Sequence, residues 1–139
     1  MKITIGSDHA GVDYKQKITN HLKNQNHNVK DVGTFGKESV DYPDYAHLVS
    51  KDVSEQKSLG ILICGSGNGV SMAANKHKKI RAALCWNKET SKLARQHNDA
   101  NIISLPARFL SIKECIELVE IFINEPFEGG RHEKRVKKI

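Results

Sequence analysis

Aromatic residues make up only 6% of this 139-residue chain, and it holds no more than 3 prolines and 3 cysteines. So few rings leave no evident stacking platform for single-stranded nucleic acid. There is no low-complexity tract and no internal repeat, which excludes linker-like and repetitive architectures. Cys64, Cys85 and Cys115 form no metal-like pair. An odd number of cysteines without an export signal points to reduced thiols in a cytoplasm. No apolar run approaches membrane-spanning length, and the opening MKITIGSDHAG turns polar too early for a signal peptide.

What remains is ordinary for a globular protein, with 38% hydrophobic and 27% charged residues. The whole of 1–139 suits one domain, long enough to bury roughly two-thirds of its unfolded surface. The net charge of +6 raises the question of nucleic acid, but much of the excess sits in the tail GGRHEKRVKKI, about residues 129–139. Such a tail can equally hold a small anion, so neither a nucleic-acid nor a membrane partner is expected.

Strand and helix alternate along the chain. KITIGS predicts a buried strand over Lys2 to Ser7, and Tyr14, Ile18 and Leu22 then recur on one helical face. NVKDVG, LGILICG, IRAALCW and NIISL read as further strands, separated by the helical patterns of AHLVSKDVSEQ, VSMAANKHK and KETSKLARQH and followed by that of SIKECIELVEIFIN. Continuously apolar strands between helices indicate a five-stranded parallel sheet covered on both faces, a Rossmann-like three-layer α/β/α sandwich. Ligands in such folds gather at the carboxyl ends of the strands. Asp8 and His9 follow the first strand, and Cys64 with its glycine loop follows the third. His97 and Asn98 end a helix, which would put them at the opposite edge of the sheet unless that helix is short or tilted.

The stretch LICGSGNGVSMAANK, Leu62 to Lys76, carries the densest chemistry. Gly65, Gly67 and Gly69 let the backbone N–H groups approach an anion or a developing oxyanion just before a helix. The G-x-G-x-G spacing is not that of a dinucleotide loop, and a P-loop needs Lys-Ser/Thr where this chain continues Val70-Ser71. A phosphatase C-x5-R loop would need arginine at Val70. Cys64 can be a buried hydrophobe, yet a thiol at a helix N-terminus can also fall from about 8.5 toward neutrality. Asp8 suits a helix cap, and Arg131 and Arg135 share a face if the tail is helical.

Taken in order, GSDHAG, DYPDYA, ILICGSGNGVSMAANK, IRAALCW, ARQHNDAN and EGGRHEKRV resemble the RpiB/LacAB sugar-phosphate isomerase family, and within it the type B ribose-5-phosphate isomerases. The resemblance implies an aldose–ketose isomerase of the non-oxidative pentose phosphate pathway, working on a small sugar phosphate without cofactor or metal. It implies a homodimer with shared sites, or a dimer of such dimers. Cys64 matches the base that moves a proton between C2 and C1, Ser66 a hydroxyl that exchanges protons between O1 and O2, and His97 the residue assisting ring opening, with Asp8 nearby. The backbone from Gly65 through Ser66, Gly67 and Asn68 to Gly69 matches the cradle for the enediolate, Asn98 a contact to a substrate hydroxyl, and Tyr42 part of the pocket wall. His9, Arg108, Arg131 and Arg135 match the phosphate-binding set. LPAR replaces the family's GSR turn, so Pro106 stiffens the approach to Arg108. Ser71 stands where some relatives carry a carboxylate base. The alternatives are a six-carbon substrate, such as allose or galactose 6-phosphate, and a non-catalytic phosphate or nucleotide binder.

Overall fold

The computed structural model describes residues 1–56 and 58–139. Five parallel strands, β1 (Lys2–Ser7), β2 (Asn28–Asp31), β3 (Leu59–Cys64), β4 (Ala82–Leu84) and β5 (Ile102–Pro106), form one sheet in the order β2-β1-β3-β5-β4. Helices α1 (Val12–Asn24), α2 (Tyr42–Gln56), α3 (Asn68–Ala74), α4 (Lys88–Asn98), α5 (Ile112–Asn124) and α6 (Glu133–Val136) follow in chain order. The expected α/β/α sandwich is the one observed.

Alternation along the strands sorts the core into two layers. Ile3, Ile5, Ile61, Ile63, Ile103 and Leu105 face Ile18 and Leu22 of α1 and Leu118 and Phe122 of α5. Leu62, Cys64 and Ile102 point the other way, toward Val49 and Val53 of α2 and Val70 of α3. Cys64 therefore lies on the α2–α3 side. The strand order reverses direction at β1, so the crevice outside the ends of β1 and β3 is the switch point where ligands bind in open α/β sheets.

Two elements depart from the periodicity. Helix α2 starts at Tyr42, ahead of the apolar pattern from Ala46, because Pro43 falls in its first turn, where a missing N–H leaves no helical bond unmade. Lys15, on the buried face of α1, is 2% exposed, among the most deeply buried side chains. Pro106 closes β5 at a place where it does no harm. Ser104 C=O accepts from Cys85 N–H on the β4 side and Ala107 N–H donates to Cys64 C=O on the β3 side. Position 106 thus faces the β4 side beyond the end of that strand, and no ladder bond is lost. Among the described residues, no helix is long and apolar enough to cross a membrane.

Candidate active site

Asp8, His9, Tyr42, Cys64, Gly65, Ser66, Gly69 and Arg108 line one cavity of about 510 Å³, together with Ala10 and Phe109. Strand ends converge there, and the volume falls within the range of small-molecule sites. Asp8 serves as both cap and wall: its Oδ1 accepts the Ala10 N–H at 2.9 Å, opening the short 3-10 turn His9–Gly11. The Nδ1 of His9 accepts the Val40 N–H at 3.2 Å. A nitrogen that accepts carries a lone pair, so the proton of the neutral ring sits on Nε2, ready to donate.

Cys64 ends β3 and its Sγ accepts the Gly67 N–H at 3.1 Å. The contact depends on Gly67, whose φ of 75° is left-handed and whose missing Cβ would stand 2.4 Å from Leu84 Cδ1. At Gly65 an added Cβ would meet the Arg108 guanidinium at 3.2 Å, so the cation lies directly over the loop. The Arg108 N–H donates to Gly65 C=O at 3.0 Å, which ties the arginine's backbone to the cysteine loop. The Tyr42 ring covers Gly69 more closely still, with an added Cβ there 2.4 Å from Tyr42 Cζ.

The cradle is narrower than the sequence suggests. Gly67 N–H is committed to the sulfur, and Asn68, exposed and outside the cavity wall, turns its N–H to Ser66 Oγ at 3.4 Å. The other two thiols are of a different kind. Burial pushes Cys85 up to about 12 despite a hydrogen bond from Ser91, and pushes Cys115 up to about 12 with help from the charge of Glu114. Both remain protonated.

His97, Asn98, Arg131 and Arg135 are not brought to this cavity. Helix α4 is about 16 Å long and returns the chain to the amino edge of the sheet, where Asn101 C=O accepts from Gly60 N–H at the start of β3. Cys64 lies at the other end of that strand, about 15 Å away. Asn98 instead lines a second cavity, of about 330 Å³, beside Arg81 and Ile139. His97 stacks on His132, with ring centroids 4.1 Å apart and planes 10° from parallel. Arg131, in the 3-10 turn Gly130–His132, donates from Nε to His132 Nε2 at 3.4 Å, and Arg135 follows in α6. Burial, then the charges of His97, Arg131 and Arg135, hold His132 below the ordinary imidazole range against the pull of Glu128.

Ala10 and Phe109 in the cavity wall and His132 beside His97 were not expected from the sequence, where the one signal of His132 is its place inside GGRHEKR. The fold also brings one ligand atom each from His97, Glu128 and His132 within 4.8 Å of one another, a cluster that sequence spacing does not reveal. In a parallel stack the ring lone pairs run side by side instead of converging, and Arg131 already donates to one of them.

Residues 3–139 match the Ribose/Galactose Isomerase family model. The chain belongs to this family. It is 48% identical over 140 residues to the probable ribose-5-phosphate isomerase B of Mycoplasma genitalium, covering 99% of this chain and 92% of the relative. With ribose-5-phosphate isomerase B of Escherichia coli the identity is 40% over 139 residues, covering 99% and 93%. Among solved structures, ribose 5-phosphate isomerase of Thermotoga maritima aligns with a TM-score of 0.96 at 46% identity, over 99% and 95% of the two chains. The Mycoplasma genitalium enzyme, crystallised with bound ribulose-5-phosphate, aligns with a TM-score of 0.95 at 46% identity, over 99% and 92%.

Membership in the ribose/galactose isomerase family sharpens one point at position 71. Ser71 is 9% exposed, and its Oγ donates to Ala82 C=O at 3.4 Å instead of lining the cavity. That leaves Cys64 as the sulfur or carboxylate best placed on the loop to take a proton.

Proposed function

We propose that the protein is a ribose-5-phosphate isomerase, interconverting ribose 5-phosphate and ribulose 5-phosphate through an enediolate. The observation that carries this reading is Cys64 in the cavity wall, its sulfur met by a backbone N–H and Arg108 lying over the adjacent glycine. Removing the C2 proton of an aldose needs a base at carbon and donors at the oxygen that gains charge. Cys64 takes the C2 proton and returns it to C1. As it does so, the carbonyl passes from C1 to C2, and Ser66 relays the hydroxyl proton between O2 and O1. His9 and Arg108 are suited to the phosphate, since an imidazole N–H and a guanidinium both donate to an anion. Tyr42 closes the wall above Gly69. The named relatives, and the one solved with ribulose-5-phosphate, support the same substrate.

Ring opening needs a second set. His97, Asn98, Arg131 and Arg135 lie about a strand's length from Cys64 in the same chain, so they reach the reacting sugar only from another copy. The reading therefore includes a homodimer in which each cavity is completed by its neighbour's α4 end and tail, and a reducing, cytoplasmic setting that keeps Cys64 free. The test is incubation with ribose 5-phosphate in deuterated water, following ketose formation and deuterium at C1 by NMR. Absence of turnover overturns the isomerase reading. A higher kcat/KM for a six-carbon sugar phosphate moves it to the other branch of the family.

A further inference from the structure

Lys15, on the inner face of α1, lines a cavity of about 250 Å³ together with Asp31 and Phe35. At 2% exposure its Nζ sits 2.5 Å from Asp31 Oδ2 and 4.6 Å from the centroid of the Phe35 ring. With Asp31 still 22% exposed the pair is half-buried, and such a pair adds little net stability because desolvation offsets most of the attraction. What it fixes is geometry. The other oxygen of Asp31 accepts the Gly33 N–H at 2.9 Å, Gly33 C=O accepts from Ser7 N–H, and Ser7 C=O accepts from Thr34 N–H. Residues 32–41 form no helix or strand, so these bonds, with Phe35 over Lys15 and Lys37 3.4 Å from Asp13, anchor the segment to α1 and β1. Its far end presents the Val40 N–H to His9.

We infer that Lys15 and Asp31 are a positioning pair for the anion end of the cavity, holding residues 32–41 so that Val40 N–H fixes the His9 ring with its proton on Nε2. This rests on the sugar-phosphate reading for what His9 binds, but not for how the ring is held. Neither Lys15 nor Asp31 touches the reacting atoms. The pair acts through one backbone amide, and its effect falls on phosphate affinity before it falls on proton transfer.

The decisive observation is made on the unaltered protein. ¹⁵N NMR of His9 should show Nε2 protonated, Nδ1 unprotonated, and a scalar coupling across the Val40 N–H···Nδ1 bond; a protonated Nδ1 overturns the inference. In Lys15→Met/Asp31→Leu, where the pair is replaced by apolar groups that such sites commonly tolerate, that coupling should vanish. The Kd for inorganic phosphate and the KM for ribose 5-phosphate should then rise about tenfold with kcat within a factor of about two. Coupling and phosphate affinity that survive the double substitution refute the proposal. If that variant does not fold, Val40→Pro removes the donor without touching Lys15 or Asp31, and unchanged phosphate affinity there refutes it equally. Phosphate binding and the coupling are read without turnover. An inactive protein that passes both arms loses the isomerase reading and keeps this one.

Discussion

Gly67 caps α3 and Gly69 lies in its first turn, two residues on, yet alanine at each should act differently. At Gly67 an L-residue must adopt a φ of 75°, which costs roughly 1–2 kcal/mol. Its Cβ would also stand 2.4 Å from Leu84 Cδ1 and 3.3 Å from the carbonyl carbon of Leu105. The leucine tip can swing, but the backbone of β5 is fixed by its ladder, so overpacking adds about 1–3 kcal/mol. Together these amount to about 2–5 kcal/mol. For a chain of this length that lowers Tm by roughly 5–20 °C.

At Gly69 the backbone is helical, and alanine in a helix gains about 0.5–1 kcal/mol over glycine. Its Cβ would lie 2.4 Å from Tyr42 Cζ, but that ring is 41% exposed and can rotate away. Gly69→Ala should keep Tm within about 3 °C of wild type while raising KM, because the displaced ring is part of the cavity wall. Gly67→Ala should lower both Tm and kcat, since the N–H that meets Cys64 moves with the backbone. Thermal melts followed by circular dichroism, with initial rates on ribose 5-phosphate, separate the two. A Gly67→Ala protein that melts with wild type refutes the reasoning, as does a Gly69→Ala protein that loses as much stability as its neighbour.

Cys64→Ala should lower kcat by about 10²–10⁴-fold while leaving phosphate affinity nearly unchanged; retained turnover would move the base elsewhere. Mixing inactive Cys64→Ala with inactive His97→Ala and allowing subunits to exchange should restore about a quarter of wild-type activity, because half the dimers then carry one intact site. No recovery would place both residues' functions within one chain. Arg135→Ala should raise KM with kcat held, the sign of a contact equally strong in ground and transition states. At Asp52, burial favours the neutral acid, but hydrogen bonds from Lys30 and Thr4 and the charge of Lys30 outweigh it, and the carboxyl is held below its usual range. A depressed pKa contributes stability above the unfolded value of about 3.9, lost as pH falls through the folded one. Asp52→Asn should therefore lower Tm at neutral pH, and the gap to wild type should close in acid.

The layers of the fold were legible because burial on both faces leaves strands with unbroken apolar runs, as in LGILIC, while α5 carries its core residues at helical spacing. Asp8, His9 and the Cys64 loop were legible because they sit at strand ends, where the chain turns, whereas Tyr42 and Arg108 were expected only from the family resemblance and Ala10 and Phe109 not at all. Burial of Lys15 and the Val40–His9 bond were not. A lysine reads as solvated until Asp31 is folded against it, and a backbone amide carries no side-chain signal at all. His132 was hidden for the same reason, since its stack on His97 exists only once the tail doubles back over α4.

The division of the site into two ends follows from the direction of the chain alone. In a parallel sheet every strand starts at one edge, so a residue following a strand and a residue following a full-length helix lie at opposite edges. Cys64 ends β3, and His97 and Asn98 end α4, whose length of about 16 Å matches the strand that comes next. A shorter helix would have been needed to bring them together. With α4 long enough to span the sheet, no rearrangement of side chains closes the distance. The proposed isomerase mechanism, which uses both on one sugar, therefore draws them from two copies of the chain.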